Sequence, residues 1–252
     1  MLGLGLSSLT NAGGRPLQWN PLDKEDELVL WFTARAQDIT VDGSNLVSTW
    51  LDRSESSNHA VQEEEDQSPV FTEANNIVTF DNTGGVAADD YMLLSQQWTL
   101  EPDVGWVIAA RYTSVDWDGS AQTILGDKDS SNHIAKHDSG AAAFSVKASG
   151  QTRTITLDTP AALVDGTFYT VIFSCSKLGV LTLYIDGVAQ VDTETFASTK
   201  DLSIDMLCGK GVDETGAYQT LGGDVKEIIV FNAEMRTGEI GLLNQFMERA
   251  SY

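Results

Sequence analysis

The chain has 252 residues, 42% of them apolar and 21% charged, which is a globular rather than a disordered composition. Its 15 Lys and Arg stand against 37 Asp and Glu, a net charge of −22 that repels phosphate backbones and anionic bilayers and so argues against nucleic-acid binding. No run approaches the roughly eighteen apolar residues of a membrane-spanning helix, so no membrane insertion is expected.

The opening, Met1-Leu-Gly-Leu-Gly-Leu-Ser-Ser-Leu-Thr10, has no basic segment and its apolar residues are interrupted by glycine. It does not read as a signal peptide, and assembly in a cytoplasm is expected. Residues 1–24 sustain no period and read as an extended arm with Leu2, Leu4, Leu6 and Leu9 as apolar anchors. That arm is either a leader or a segment that docks on a neighbouring subunit. Residues 25–252 read as one domain.

From Glu27 onward the chain becomes a series of short runs rich in β-formers. Leu28–Phe32, Asn76–Phe80, Tyr91–Leu94, Gly105–Tyr112, Gln122–Leu125 and Ala143–Lys147 come first. Arg153–Leu157, Phe168–Cys175, Val180–Ile185, Val188–Thr193, Leu202–Leu207 and Val225–Phe231 follow. Most are bounded by Gly, Asp, Asn or Ser at spacings of about ten residues, the rhythm of an all-β, antiparallel two-sheet sandwich. Ile185-Asp-Gly-Val188 is the clearest hairpin, because Asp-Gly suits a two-residue turn with positive φ. Only residues 236–251 read as a helix, with Thr237 as cap and Ile240, Leu243, Phe246, Met247 and Ala250 on one face. Cys175 and Cys208 sit in apolar alternating stretches outside any metal or redox motif, so two buried free thiols are expected, with a disulfide left open.

Three blocks carry a resemblance. Leu28-Val-Leu-Trp-Phe-Thr-Ala34, Val47-Ser-Thr-Trp-Leu-Asp-Arg-Ser54, Asn58-His-Ala60 and Pro69 form the first. Phe80-Asp81 with Asp89-Asp-Tyr91 forms the second. Leu183-Tyr-Ile-Asp-Gly187, Gly223-Asp-Val-Lys-Glu-Ile-Ile-Val-Phe-Asn232 and the closing helix form the third. In this order they resemble the concanavalin A-like, laminin G-like jelly-roll family over residues 25–252. The resemblance implies a jelly-roll sandwich with Trp31 and Trp50 as core fillers. It says less about function, since such folds host lectins, hydrolases, adhesion modules and virion parts.

The hydrolases of this fold carry Glu-x-Asp-x-(x)-Glu on one strand, whose alternation aims acid and base into a cleft. The nearest string here, Glu63-Glu-Glu-Asp-Gln67, reads as a solvated loop before Pro69, so no enzyme is expected. His133 and His137 on a strand would stand about 13 Å apart, too far to chelate one ion. Laminin G-like domains often hold calcium at one rim, and Asp116, Asp118, Asp127 and Asp129 are the residues whose oxygens suit that cofactor. The alternative is a pair of solvated acidic turns. Trp117, Tyr218 and Trp98 are candidate stacking platforms for a sugar, or contributors to a protein interface.

Made without a signal peptide and opening on Met-Leu-Gly-Leu-Gly, the chain is similar to accessory virion proteins of tailed bacteriophages. The main expectation is therefore a non-enzymatic virion structural protein, a capsid decoration or head-associated surface protein. Its partners would be other virion proteins, or further copies of itself as a homo-oligomer. The alternative is a carbohydrate-binding module for attachment to a host-surface glycan, from a tail fibre or baseplate. A glycan hydrolase comes third.

Overall fold

The computed structural model describes residues 19–82, 89–100, 102–115, 117, 122–128, 132–136, 143–148, 150–158, 163–196, 201–209 and 220–249. In chain order the strands are β1 (Leu28–Thr33), β2 (Ile39–Val41), β3 (Val47–Trp50), β4 (Ala60–Val61), β5 (Val70–Thr72) and β6 (Ile77–Phe80). They continue as β7 (Met92–Leu100), β8 (Trp106–Tyr112), β9 (Thr123–Gly126), β10 (His133–Lys136), β11 (Ala143–Ala148) and β12 (Gln151–Thr156). The last are β13 (Tyr169–Cys175), β14 (Val180–Ile185), β15 (Val188–Thr195), β16 (Leu202–Leu207) and β17 (Gly223–Phe231), followed by α1 (Thr237–Arg249).

They form two antiparallel sheets. One runs β15-β14-β13-β8-β17-β6-β5, with β1 also on β17. The other runs β12-β11-β10-β9-β16-β7-β4-β3-β2. The expected all-β sandwich with a closing helix is the observed fold, and each run read from the sequence lies on a strand. β2, β3, β4, β5 and β10 add to them.

Two apolar layers explain which strands read as continuous. The first lies between the sheets and holds Phe32, Trp50, Phe80, Ile108, Phe144, Phe173 and Val230 among others. The second lies on the outer face of the eight-stranded sheet, where Val107, Ala109, Ile172, Ile229 and Phe231 meet Ile240, Leu243 and Met247 of α1. Strands covered on both faces have no solvent side, so all six residues of β1 are buried, and so are Glu227–Phe231 of β17. Edge strand β15 is covered on neither side to that extent and leaves Val191 85% exposed.

Trp31 and Trp50 are core residues, as the resemblance implies. The Trp50 indole N–H donates to the Thr33 carbonyl at 2.8 Å. The segment after β3 is organised by Asp52. Its carboxylate accepts the backbone N–H groups of Trp31, Ser54 and Asn58 and the hydroxyls of Ser54 and Ser56, all at 2.6–2.9 Å. A buried carboxylate needs such a set of donors to offset its lost hydration.

Cys175 and Cys208 are free, buried thiols. Burial pushes the Cys175 thiol up to about 12, with the Glu234 charge adding to it, so neither chemistry nor pairing is invited there. The 185–188 hairpin is present: Ile185 pairs with Val188, while Asp186 and Gly187 take φ of 47° and 77°. Gly187 is required twice over, because a Cβ there would press on the Asn244 amide of α1, at 2.9 Å from Nδ2.

At the other end, residues 19–24 of the expected arm belong to the packed domain. Pro21–Glu27 is a 3₁₀ segment capped by the Asn20 side chain on the Leu22 N–H. Trp19 packs edge-on against Phe246 of α1 at 6.1 Å, and Lys24 reaches Glu239 at 3.2 Å. Glu239 also closes the start of α1 by accepting the Arg236 N–H, a task the sequence assigned to Thr237. Leu2, Leu4, Leu6 and Leu9 lie outside the described residues.

Candidate functional site

The expected sugar platform does not form on Trp117. Trp117, a candidate stacking platform, is 2% exposed and packs against Tyr112, Phe144 and Tyr169. No ring face is left for a ligand, so this expectation is corrected. Trp98 lies on the core side of β7 opposite Ile204 and packs against the inter-sheet layer, half-buried. Tyr218 lies outside the described residues.

Of the four expected calcium ligands, Asp116, Asp118 and Asp129 also lie outside them. Asp127 is 2% exposed rather than on a solvated turn. Its Oδ2 accepts from Asn132 Nδ2 at 2.6 Å, while Oδ1 is buried with no hydrogen bond. Among the described residues no group of three or more His, Cys, Asp or Glu side chains is placed to hold a metal. The strand reading of His133 holds, and His137 is not described.

Two regions with chemical character were not read from the sequence. The first is a groove of about 460 Å³ over β3 and β4. Asp42, Ser48, Thr49, Gln62, Glu63 and Glu65 line it, and Leu46 and Val61 supply an apolar strip. Gln62 is committed: its Oε1 accepts the Glu63 and Glu64 N–H groups, and its Nε2 donates to the Tyr91 carbonyl. Ser48 Oγ donates to the Thr40 carbonyl at 3.3 Å, while the Glu63 and Glu65 side chains are exposed. A second groove of about 510 Å³ is lined by Ile39, Val41, Val70 and Phe71 together with Asn45, Thr72 and Glu73.

The second region is a polar row across four neighbouring strands of the other sheet. Thr33 pairs with Glu227, Glu227 with Arg111, and Arg111 with Thr170. These positions continue the face that α1 covers one residue pair further along, so the row starts where the helix lid ends. A register shift at Lys226 turns the Glu227 side chain onto this outer face. Glu227 is 0% exposed, and its Oε1 accepts the Trp31 indole N–H at 2.8 Å. Burial raises its carboxyl to about 7 against the opposing pull of that bond and of Arg35, Arg53 and Arg111.

The row gathers cations. Arg53 lies over the Trp31 ring at 4.6 Å and pairs with Asp38 at 3.1 Å, and Asp38 in turn accepts the Thr33 hydroxyl. Arg111 Nη1 donates to Thr170 Oγ1 at 2.8 Å. Lys226 Nζ sits 4.6 Å from the centre of the Phe168 ring. Burial, and then the like charge of Arg111, hold the Lys226 ammonium below its usual range. The sequence signal for this site is Lys226-Glu227, the one charged pair inside an otherwise apolar run.

No protein-family model matches the chain, and no curated protein matches it in sequence. Solved structures do match in fold. A Trypanosoma rangeli sialidase in complex with sialic acid is similar at 14% identity and TM-score 0.59, over 96% of this chain and 36% of the sialidase. The binding domain of Paraclostridial Mosquitocidal Protein 1 is similar at 11% identity and TM-score 0.60, over 88% of this chain and 53% of that one. The botulinum neurotoxin serotype D binding domain follows at 13% identity and TM-score 0.58, over 88% and 52%. The chain thus spans about a third of the sialidase and about half of each toxin domain. At such identities the shared property is the fold, a β-sandwich. These three neighbours are a sialidase and two toxin binding domains, and none of them is a virion protein.

Proposed function

We propose that the chain is a non-enzymatic glycan-binding module. The observation that carries this reading is the groove over β3 and β4, where hydroxyls and carboxylates surround a short apolar strip. Sugars present hydroxyl donors and acceptors around a C–H face, and such a groove answers both. Its acidity favours neutral sugars, whose hydroxyls donate to Glu63 and Glu65. The similarity to toxin binding domains supports a binding role.

A hydrolytic role is less well supported. A glycosidase needs one carboxylic acid kept protonated in an apolar pocket beside a second carboxylate. Glu63, Glu64, Glu65 and Asp66 are all exposed. The virion-surface setting rests on the opening residues, which are not described, and gains no support from the neighbours.

The test is a glycan array probed with the wild type and with a Ser48→Ala/Glu63→Gln variant. Saturable neutral-glycan hits that the double variant loses are expected. An empty array, or hits unchanged by the variant, overturns the reading, and release of reducing ends from a bound glycan overturns its non-enzymatic part.

A further inference from the structure

Glu227 and Arg111 stand opposite one another on neighbouring strands, yet each keeps one buried polar atom without a hydrogen bond: Oε2 of Glu227 and Nε of Arg111. Leaving a buried donor or acceptor unanswered is costly, and two of them in one row ask for a group that accepts from the guanidinium and donates to the carboxylate. A hydroxyl does both.

Around these two atoms the chain concentrates Arg35, Arg53, Arg111 and Lys226, four of its 15 basic residues in a molecule of net charge −22. Arg53 is neutralised by Asp38. Among the described residues no carboxylate forms an ion pair with Arg111 or Lys226. Both are partly exposed, so solvent reaches the row from their side. A multiply charged anion such as a phosphate would be repelled by Glu227 when that group is ionised. A single carboxylate on a scaffold of hydroxyls suits the set, with its charge on the partly exposed Arg111 and Lys226.

We propose that this row is a second saccharide subsite, specific for sugar acids, on the opposite sheet from the neutral groove. It rests on the glycan-binding reading for its ligand class but not for its residues.

The Trp31 indole N–H donates to Glu227 and so reports on the row directly. Its ¹H–¹⁵N resonance should be followed while ¹⁵N-labelled protein is titrated with sialic acid, glucuronic acid, glucose or sodium sulfate. At least one of the two acids should move it saturably, glucose should not, and sulfate should act far more weakly. Arg111→Gln and, separately, Lys226→Gln should each weaken acid binding several-fold, and circular dichroism should confirm that each variant is folded. Lys226 is partly exposed, so its replacement keeps the test valid if Arg111→Gln does not fold. No shift with either acid, an equal response to sulfate, or full affinity in a folded Lys226→Gln variant overturns the proposal. Loss of the acid response in the Ser48→Ala/Glu63→Gln variant also overturns it, since that places the acid in the groove. An empty neutral-glycan array beside an intact acid response would sink the groove reading and leave this one standing.

Discussion

The outer faces of the two sheets obey the same strand geometry but end in different environments. On the eight-stranded sheet α1 covers Val107, Ala109, Ile172 and Ile229, and the uncovered continuation of that face is Glu227 and Arg111. On the nine-stranded sheet Thr99 and Ser203 face each other in solvent at 3.1 Å, and the groove over β3 and β4 is open, with Glu63 and Glu65 exposed. A helix lid creates a second apolar layer, and with it a boundary where charge becomes expensive. The open face has no such boundary, so its carboxylates stay hydrated.

That contrast can be broken most directly at the lid. Leu243, on the sheet-facing side of α1, is fully buried, and Leu243→Ala should cost about 2–5 kcal/mol in a denaturant titration. Leu242, 41% exposed on the same helix, should cost under about 0.5 kcal/mol apart from helix propensity when replaced by Ala. Equal costs would mean that α1 does not dock as described.

A second prediction uses pH. The Glu227 carboxyl sits at about 7 in the folded protein against an ordinary value of 4.5, so between those limits the folded state holds more protons than the unfolded chain. Stability is therefore lost as pH rises through this window, the reverse of a salt-bridged carboxylate. Burial likewise raises Asp90 to about 6 from 3.8, and that adds a smaller slope of the same sign. Glu227→Gln removes the charge and keeps an acceptor for Trp31. It should stabilise the protein at pH 8 by on the order of 3 kcal/mol and leave it nearly unchanged at pH 5. A flat melting profile between pH 5 and 8 in the wild type would refute the buried ionisable group.

A third prediction sharpens the boundary of the lid. Trp19 and Trp31 both meet Phe246 edge-on, at 6.1 and 6.0 Å, so Trp19→Ala should cost about 1–2 kcal/mol. An unchanged melting temperature would return residues 19–24 to the arm. Thr99→Ala, on the open face, should lie within about 0.5 kcal/mol of wild type and sets the lower end of the scale.

How legible is this in the sequence? β8, β13 and β17 announce themselves because burial on both faces demands unbroken β-formers. β4 is two residues long and β2 only three, too short for any alternation to register, so neither can be read. Trp117 misleads because charge on either side in sequence says nothing about where a ring points once the chain turns inward. Glu227 is visible with Lys226 as charge at the head of an apolar run, but its neighbours Arg111 and Trp31 are supplied by pairing across the sheet, which no local pattern encodes. The groove over β3 and β4 is assembled from three separated segments and is invisible for the same reason.

The position of β17 has a temporal consequence. One of its edges is filled by β8, and the other is shared by β6 at its start and β1 towards its end. Trp31 and Glu227 meet across 196 residues of chain. During synthesis β1, β6 and β8 therefore emerge with their central partner still untranslated, and their open edges must wait. The domain can close only when Phe231, the end of β17, has left the ribosome. A truncated chain ending before Gly223 should thus be a sticky, chaperone-dependent intermediate rather than a smaller folded protein.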